Sequence, residues 1–243
     1  MSVVAIDCSD RRGTDSKATN APRNAPPTMR AVRPVLSSCM DDSVIEAGVD
    51  ESGRGPLFGR VYAGCVVFLD DVASLPGAEC IQDSKVVCKS KKATERALAF
   101  INQHALTTSV AFAEVDEIDE ANIHNATYRA MARAIADVAI TPDHILVDGP
   151  YYPASSHRVT TVVDGDQKFM SIAAASILAK VARDAYITSL CDQHPALDEW
   201  YDIRSNKGYG TKAHMSGIAK HGITQWHRRS FHPCKSTKVR ITM

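Results

Sequence analysis

The stretch Met170–Leu190 constrains the fold more than any other part of the chain. Ile172, Ala175, Ala179, Ala182, Tyr186 and Leu190 recur at helical spacing and define one apolar stripe. Its alanines predict close packing against a sheet. Strands for that sheet lie upstream. Val44–Asp50 and Val61–Leu69 are short apolar runs joined by a turn containing Gly and Pro, which predicts a paired opening hairpin. Thr107–Val115 alternates and is rich in small and branched residues; His144–Val147 and Arg158–Val163 complete the set. Helical spacing marks Lys89–His104, with Ser84 or Ser90 as its cap, then Asp116–Val138 and Lys212–His221. The order β-β-α-β-α-β-β-α-α predicts an α/β domain with a mixed five-stranded sheet flanked by helices and a C-terminal helical, basic extension. An antiparallel opening with no G-x-G-x-x-G or P-loop in the right setting argues against a nucleotide-binding fold.

Residues 1–42 are rich in Pro, Ser, Thr, Asn, Asp and Arg, with no sustained apolar period. They predict a disordered extension, with residues 43–243 forming the domain. No apolar run is long enough to span a bilayer, and the N-terminus lacks the apolar core of a secretory signal. The expectation is a cytoplasmic protein without a membrane partner. Seven cysteines without a CxxC pair predict scattered reduced thiols. A net charge of zero hides an asymmetry. From Ile203 onward there are nine Lys or Arg and no acid; the other 19 basic residues face all 28 acids, a net of −9. Metal-binding acids beside a basic arm for a polyanion would produce that split.

The first hairpin strand closes on Asp50-Glu51-Ser52-Gly53-Arg54-Gly55-Pro56, and two later apolar runs close on Asp148 and Asp166. Carboxylates suit Mg²⁺ or Mn²⁺ at a site that must also admit phosphate oxygens. Four converging acids are what a two-metal phosphodiester-cleaving site needs. Neighbours on a strand face opposite sides, so Asp50 and Glu51 are expected to share a site only if the strand ends between them. Asp50 and Asp148 are expected to meet only if their strands adjoin. Asp166 precedes the long helix, where it either caps that helix or stands beside an anion held at its N-terminus.

On these residues the chain resembles the type 2 ribonuclease H family. The motifs that carry the likeness are Gly48–Leu57, Asp83-Ser84-Lys85, Ile118–Asn122, Ile145–Gly149, Gly165-Asp166, Ser171–Asp184, Lys207–Thr211 and His227–Phe231, in that order. The resemblance implies a ribonuclease H-like fold and an endonuclease that cuts the RNA strand of RNA–DNA hybrids. It implies cutting at ribonucleotides embedded in duplex DNA, leaving 5′-phosphate and 3′-hydroxyl ends. It implies Mn²⁺ or Mg²⁺ held by Asp50, Glu51, Asp148 and Asp166. Gly53, Arg54 and Gly55 would contact the 2′-hydroxyl and scissile phosphate, with Tyr209 packing on the sugar. Lys85, Lys180, Lys207, Arg228 and Arg229 are candidate phosphate contacts, and a monomer is expected. Phe58 and Arg60 stand where Ala and Pro are usual, Pro150 where Asn is common and Asp164 where Lys is frequent.

Four rivals are weaker, one of them a noncatalytic hybrid-binding protein on the same fold, against which the presence of all four acids speaks. A type 3 relative usually carries Glu at the fourth acidic position. A serine hydrolase built on Ser155 or Ser156 with His157 lacks the G-x-S-x-G elbow. Zinc among His214, His221, His227 and His232 has only Cys234 nearby.

Overall fold

The computed structural model describes residues 36–68 and 71–243. Five strands form one mixed sheet: β1 Glu46–Ser52, β2 Val61–Phe68, β3 Ala105–Ala113, β4 His144–Asp148 and β5 Arg158–Val162, in spatial order β3-β2-β1-β4-β5. The β1–β2 and β2–β3 pairs are antiparallel, and β1–β4 and β4–β5 are parallel. The described residues also hold eight α-helices, α1 Ser84–Val87, α2 Lys91–His104, α3 Val115–Ala121, α4 Ile123–Ala136, α5 Met170–Gln193, α6 Ala196–Tyr201, α7 Ile203–Asn206 and α8 Lys212–His221, with four short 3-10 turns and a two-stranded sheet of Ile223–Thr224 and Arg240–Ile241. The expected mixed five-stranded sheet flanked by helices is present, and β1 and β4 adjoin.

Alternation along the strands sends side chains to two cores. Ala47 and Val49 of β1, with Ile145 and Val147 of β4, pack against Ala126, Ala130, Met131 and Ala134 of α4. The opposite face meets α5. There Gly48 carries no side chain because a Cβ would sit 2.2 Å from the Ser171 carbonyl carbon. The helix can therefore lie directly on the sheet.

Helix α5 is not a stripe at its start. Every residue from Met170 to Ile177 is buried, because the sheet covers one side while α2, through Phe100 and Ile101, covers another. A helix apolar all round is a buried one. The segment expected as one helix over Asp116–Val138 is two. Asn122 adopts φ 68° and ψ 164° between them, a strained backbone region essentially reserved for glycine, and its side chain accepts a hydrogen bond from the Asn125 N–H. Ser90, not Ser84, caps α2. Of the proposed N-terminal extension, residues 1–35 lie outside the described residues. Ser37 pairs with the start of α5: its N–H donates to Lys168 O at 2.7 Å and its carbonyl accepts from Met170 N at 2.9 Å.

The C-terminal extension has its own core. Leu57 and Phe58, from the turn after β1, pack with Leu190, Leu197, Tyr201, Ile203, Ile218 and Ile223. This core fixes the turn that follows the paired acids.

Candidate active site

The β1–β4 ladder ends at Val49 opposite Val147. The next residues, Asp50 and Asp148, therefore stand where two parallel strands part. Such a crevice at the carboxyl ends of strands is where open α/β sheets place ligands. The strand does not break between Asp50 and Glu51, as the sequence reading required. It stays paired with β2 through Ser52, with Asp50 opposite Gly64 and Glu51 opposite Ala63. Where β4 no longer covers that edge, Asp148 acts on the charge of both residues. Asp50 lies on the α5 side, where the Ser176 hydroxyl hydrogen-bonds it. Glu51 lies on the α4 side and lines a groove of about 470 Å³ with Arg54, Asn122, His124, Asp148 and Tyr151. Asp166 sits in the turn Gly165–Gln167 between β5 and α5. It does not cap α5, whose N-cap is Phe169.

Charge ties the four acids together. Asp50 is only 5% exposed. Burial holds its carboxyl well above the usual range, and the charges of Glu51 and Asp148 add to the rise. Glu51 is raised first by burial and also by Asp148, against the lowering effect of Arg54. Asp166 is raised by burial, then by Asp148 and Asp83, with Lys85 opposing. Asp148 is the one acid that acts on the other three. Its Oδ1 accepts the Gly165 N–H at 2.7 Å, which ties β4 to the Asp166 turn.

Oxygen donors that repel one another in a buried setting fit a hard divalent cation by chemistry. They are not drawn into a closed cage: among the described residues, no three His, Cys, Asp or Glu stand close enough together to hold an ion.

The glycine turn flanks this cluster. Gly53 has φ 100°, and a Cβ there would lie 2.3 Å from Arg183 Nε, so only glycine fits. Arg54 donates to Glu51 Oε1 at 3.1 Å and to His124 Nδ1 at 3.0 Å. The half-exposed ring of Tyr209 lies over Gly55, whose Cβ position is 3.4 Å from it.

Behind Tyr209 a buried histidine pair has fixed tautomers. The Thr224 N–H donates to His227 Nδ1 at 3.0 Å. His227 Nε2 therefore carries the proton and donates to His214 Nε2 at 3.1 Å. His214 Nδ1–H is left to donate to the Tyr209 carbonyl at 3.0 Å. Burial holds both rings neutral, pushing His227 down to about 3.

The proposed phosphate contacts divide. Lys85 lies near Asp166 and is exposed. Lys207 closes α7 in a left-handed conformation and is half-buried. Lys180 is ion-paired to Asp184. Arg229 is paired to Asp119 at 2.9 Å and Asp116 at 2.7 Å. Arg228 corrects the sequence reading outright. It is fully buried, and its guanidinium donates to the carbonyls of Gly53, Arg54, Pro56, Gly59 and Arg60. A side chain with no exposed surface and every N–H engaged cannot reach a phosphate. Burial lowers its pKa to about 9, which still leaves it charged at neutral pH.

Ser176 and Ser84 were missed. Their hydroxyls meet at 3.0 Å, linking the Asp83-Ser84-Lys85 segment to Asp50. The available signal was a serine on the packing face of an alanine-rich helix.

Parallel strands parting at paired acids, beside a glycine turn and under a long buried helix, define the ribonuclease H-like class. Solved structures share that fold. Ribonuclease H2 from Pyrococcus horikoshii OT3 aligns with TM-score 0.61 and 23% identity over 79% of this chain and 95% of that one. Bst-RNase HIII aligns with TM-score 0.56 and 18% identity over 90% and 75%. The family model for ribonuclease HII matches residues 47–234. Ribonuclease HII of Bacteroides thetaiotaomicron is 42% identical over 81% of this chain and 94% of its own length. That of Parabacteroides distasonis is 43% identical over the same shares. The chain belongs to the ribonuclease HII family. It is therefore a ribonuclease H, a hydrolase of the nuclease class.

Proposed function

We propose that the chain cuts the RNA strand of RNA–DNA hybrids and the junction at single ribonucleotides embedded in duplex DNA, leaving 5′-phosphate and 3′-hydroxyl ends. The observation that carries this reading is that Asp50 and Asp148 stand where two adjoining parallel strands part, beside a glycine turn that Tyr209 overlies. Asp50 and Asp148 would be the central ligands of Mg²⁺ or Mn²⁺, with Glu51 and Asp166 flanking. Bound there, the cations would supply an activated water and neutralise charge on the departing oxygen.

The chain's own residues do the rest. Gly55, exposed and without a side chain, lets the main chain approach a sugar closely, and only a hydrogen-bonding partner at the 2′ position separates RNA from DNA. Tyr209 offers a half-exposed ring to that sugar. Arg54, held by Glu51 and His124, stands at the groove mouth. Lys85 offers an exposed charge beside Asp166. Duplex binding through such charges weakens steeply with salt. Among the described residues, no helix is long and apolar enough to cross a membrane; we place the enzyme in the cytoplasm as a monomer.

The test is a DNA duplex carrying one ribonucleotide, incubated with Mg²⁺ or Mn²⁺ and mapped at the cut. Cutting that ignores the position of the ribonucleotide, or 3′-phosphate ends, would refute the assignment. So would cutting that survives chelation.

A further inference from the structure

We propose that Arg228 is a positioning residue for ribose recognition: it pins the carbonyls of the Gly53–Arg60 turn inward, so that two peptide N–H groups face the nucleotide. The proposal rests on the reading above that this turn senses the 2′-hydroxyl.

A guanidinium has five N–H donors in a rigid fork. All five of Arg228 go to one turn: Nε to Gly59 O at 2.9 Å, Nη1 to Arg54 O at 2.9 Å and Pro56 O at 2.7 Å, Nη2 to Gly53 O at 2.6 Å and Arg60 O at 3.2 Å. In a planar trans peptide the C=O of one residue and the N–H of the next point opposite ways. Pinning the Gly53 and Arg54 carbonyls inward therefore turns the Arg54 and Gly55 N–H groups outward. Neither of those groups has an acceptor among the described residues. By contrast, the N–H after the pinned Pro56 carbonyl is taken, donating to Gly208 O at 2.9 Å. The two free donors belong to the turn that follows Asp50 and Glu51, and the Tyr209 ring lies over its Gly55.

A second buried arginine extends the frame. Arg183 Nη2 donates to Phe58 O at 3.3 Å and Lys207 O at 2.8 Å. It thereby joins this turn to the one carrying Tyr209. Among the described residues neither guanidinium is ion-paired to a carboxylate. Two buried positive charges therefore stand behind the outward N–H pair. Preorganised donors backed by such a field favour an oxygen lone pair or a phosphate at that spot.

The test uses the whole enzyme with Mg²⁺ or Mn²⁺ and two duplexes that differ only by a 2′-hydroxyl at one position. The readout is the ratio of kcat/KM at that position between the two. Arg228→Lys has one donor nitrogen in place of a fork and cannot span five carbonyls. Its ratio is expected to fall by about 10²-fold, the scale of a 1 Å misplacement, with duplex affinity little changed. A residue that merely holds the fold together lowers the active fraction, and so cutting of both duplexes alike. An unchanged ratio beside a selective wild type would overturn the proposal alone. A wild type that does not distinguish the duplexes would overturn the ribose reading of the turn. Should Arg228→Lys fail to fold, Arg183→Lys, which keeps one charged donor for the two carbonyls, is expected to lower the ratio by about tenfold; a folded Arg183→Lys with the wild-type ratio overturns the proposal equally.

Discussion

Asp50 and Arg228 are both buried, ionisable and close to the same glycine turn, yet their surroundings are opposite. Asp50 faces two like charges, Glu51 and Asp148, and is relieved by hydrogen bonds from Ser176 and the Glu51 N–H. Arg228 faces five carbonyls, and every donor is satisfied. One region therefore stores electrostatic stress and the other dissipates it. Stress of that kind suits a group waiting for a cation, because binding removes it. Full satisfaction suits a frame that must not move. The site thus combines a part that is completed by what it binds with a part that is complete beforehand.

The strongest way to break this contrast is Asp50→Asn. Cleavage should fall by about 10³-fold or more, since several kcal/mol of transition-state stabilisation rest on the acidic cluster. Stability should move the other way. The folded-state pKa of Asp50 lies above its unfolded value, so the ionised form costs stability at neutral pH. That cost disappears as the pH falls below the ordinary carboxylate range. Metal-free Asp50→Asn should melt a few degrees higher at pH 7, about 2–4 °C per kcal/mol for a chain this size, and should lose its advantage near pH 4. A variant that melts lower at pH 7 would mean that Asp50 is not stressed at all.

The frame is tested next by Phe58→Ala. Phe58 is fully buried and packs edge-on to His227 at 5.1 Å and His214 at 6.5 Å. Removing it should cost about 3–5 kcal/mol, read from denaturant unfolding. A loss below 1 kcal/mol would show that the C-terminal core does not hold the turn.

Phe58 also shows what the sequence could reveal. It stood out as a departure where alanine is usual, and so did Arg60. Only the structure supplies the reason. Phe58 fills the core between the turn and the C-terminal helices, while Arg60 stacks over Phe112 at 4.0 Å and Tyr186 at 4.5 Å and pairs with Glu114 at 2.6 Å. The strands, long helix and acids were legible because each ends a run whose period can be counted. The action of Asp148 on both Asp50 and Glu51 was not, because it depends on where a neighbouring strand stops. The burial of Arg228 was not legible either. In sequence it is one of nine basic residues in an acid-free tail, and nothing local says that its partners are carbonyls some 170 residues upstream. The net positive tail was also overstated: Arg204 pairs with Asp192 and Asp198, and Arg229 with Asp116 and Asp119.

The histidine pair behind Tyr209 gives a smaller, pH-dependent effect. His227 has its folded-state pKa pushed down to about 3, below the ordinary 6.5 of the unfolded chain. The unfolded state therefore binds the extra proton first, and stability is lost as the pH falls below about 6.5, at about 1.4 kcal/mol per pH unit for one such group. Comparing wild type with His227→Gln isolates this contribution from the carboxylates, of which Asp50, Glu51 and Asp166 have raised pKa values that act in the opposite sense. The slope between pH 6 and pH 4.5 should be shallower in the variant by about that amount. Equal slopes would show that His227 is protonated in the folded protein, and the hydrogen-bond direction toward Tyr209 would then have to be redrawn.

Arg229 separates the two regions at the least cost in stability. In sequence it is the twin of Arg228 and an equal candidate for a phosphate contact; in the structure it lies at the surface between Asp116 and Asp119. Its Nε and backbone N–H both reach Asp119 Oδ2 at 2.9 Å, so its charge is already answered. The pair with Asp116 is exposed, and such pairs contribute about 0–1 kcal/mol. Asp119 is nearly buried but keeps its bonds from the Ser230 N–H and hydroxyl, so Arg229→Ala should destabilise by about 1–2 kcal/mol. The sharper measurement is the salt dependence of duplex binding. Each phosphate contact adds close to one unit to the slope of log affinity against log salt. If the two acids hold Arg229, the slope of Arg229→Ala matches wild type; a slope shallower by about one unit would mean that the side chain leaves them for the nucleic acid, and that the sequence reading of the basic tail is right where the ion pairs say otherwise.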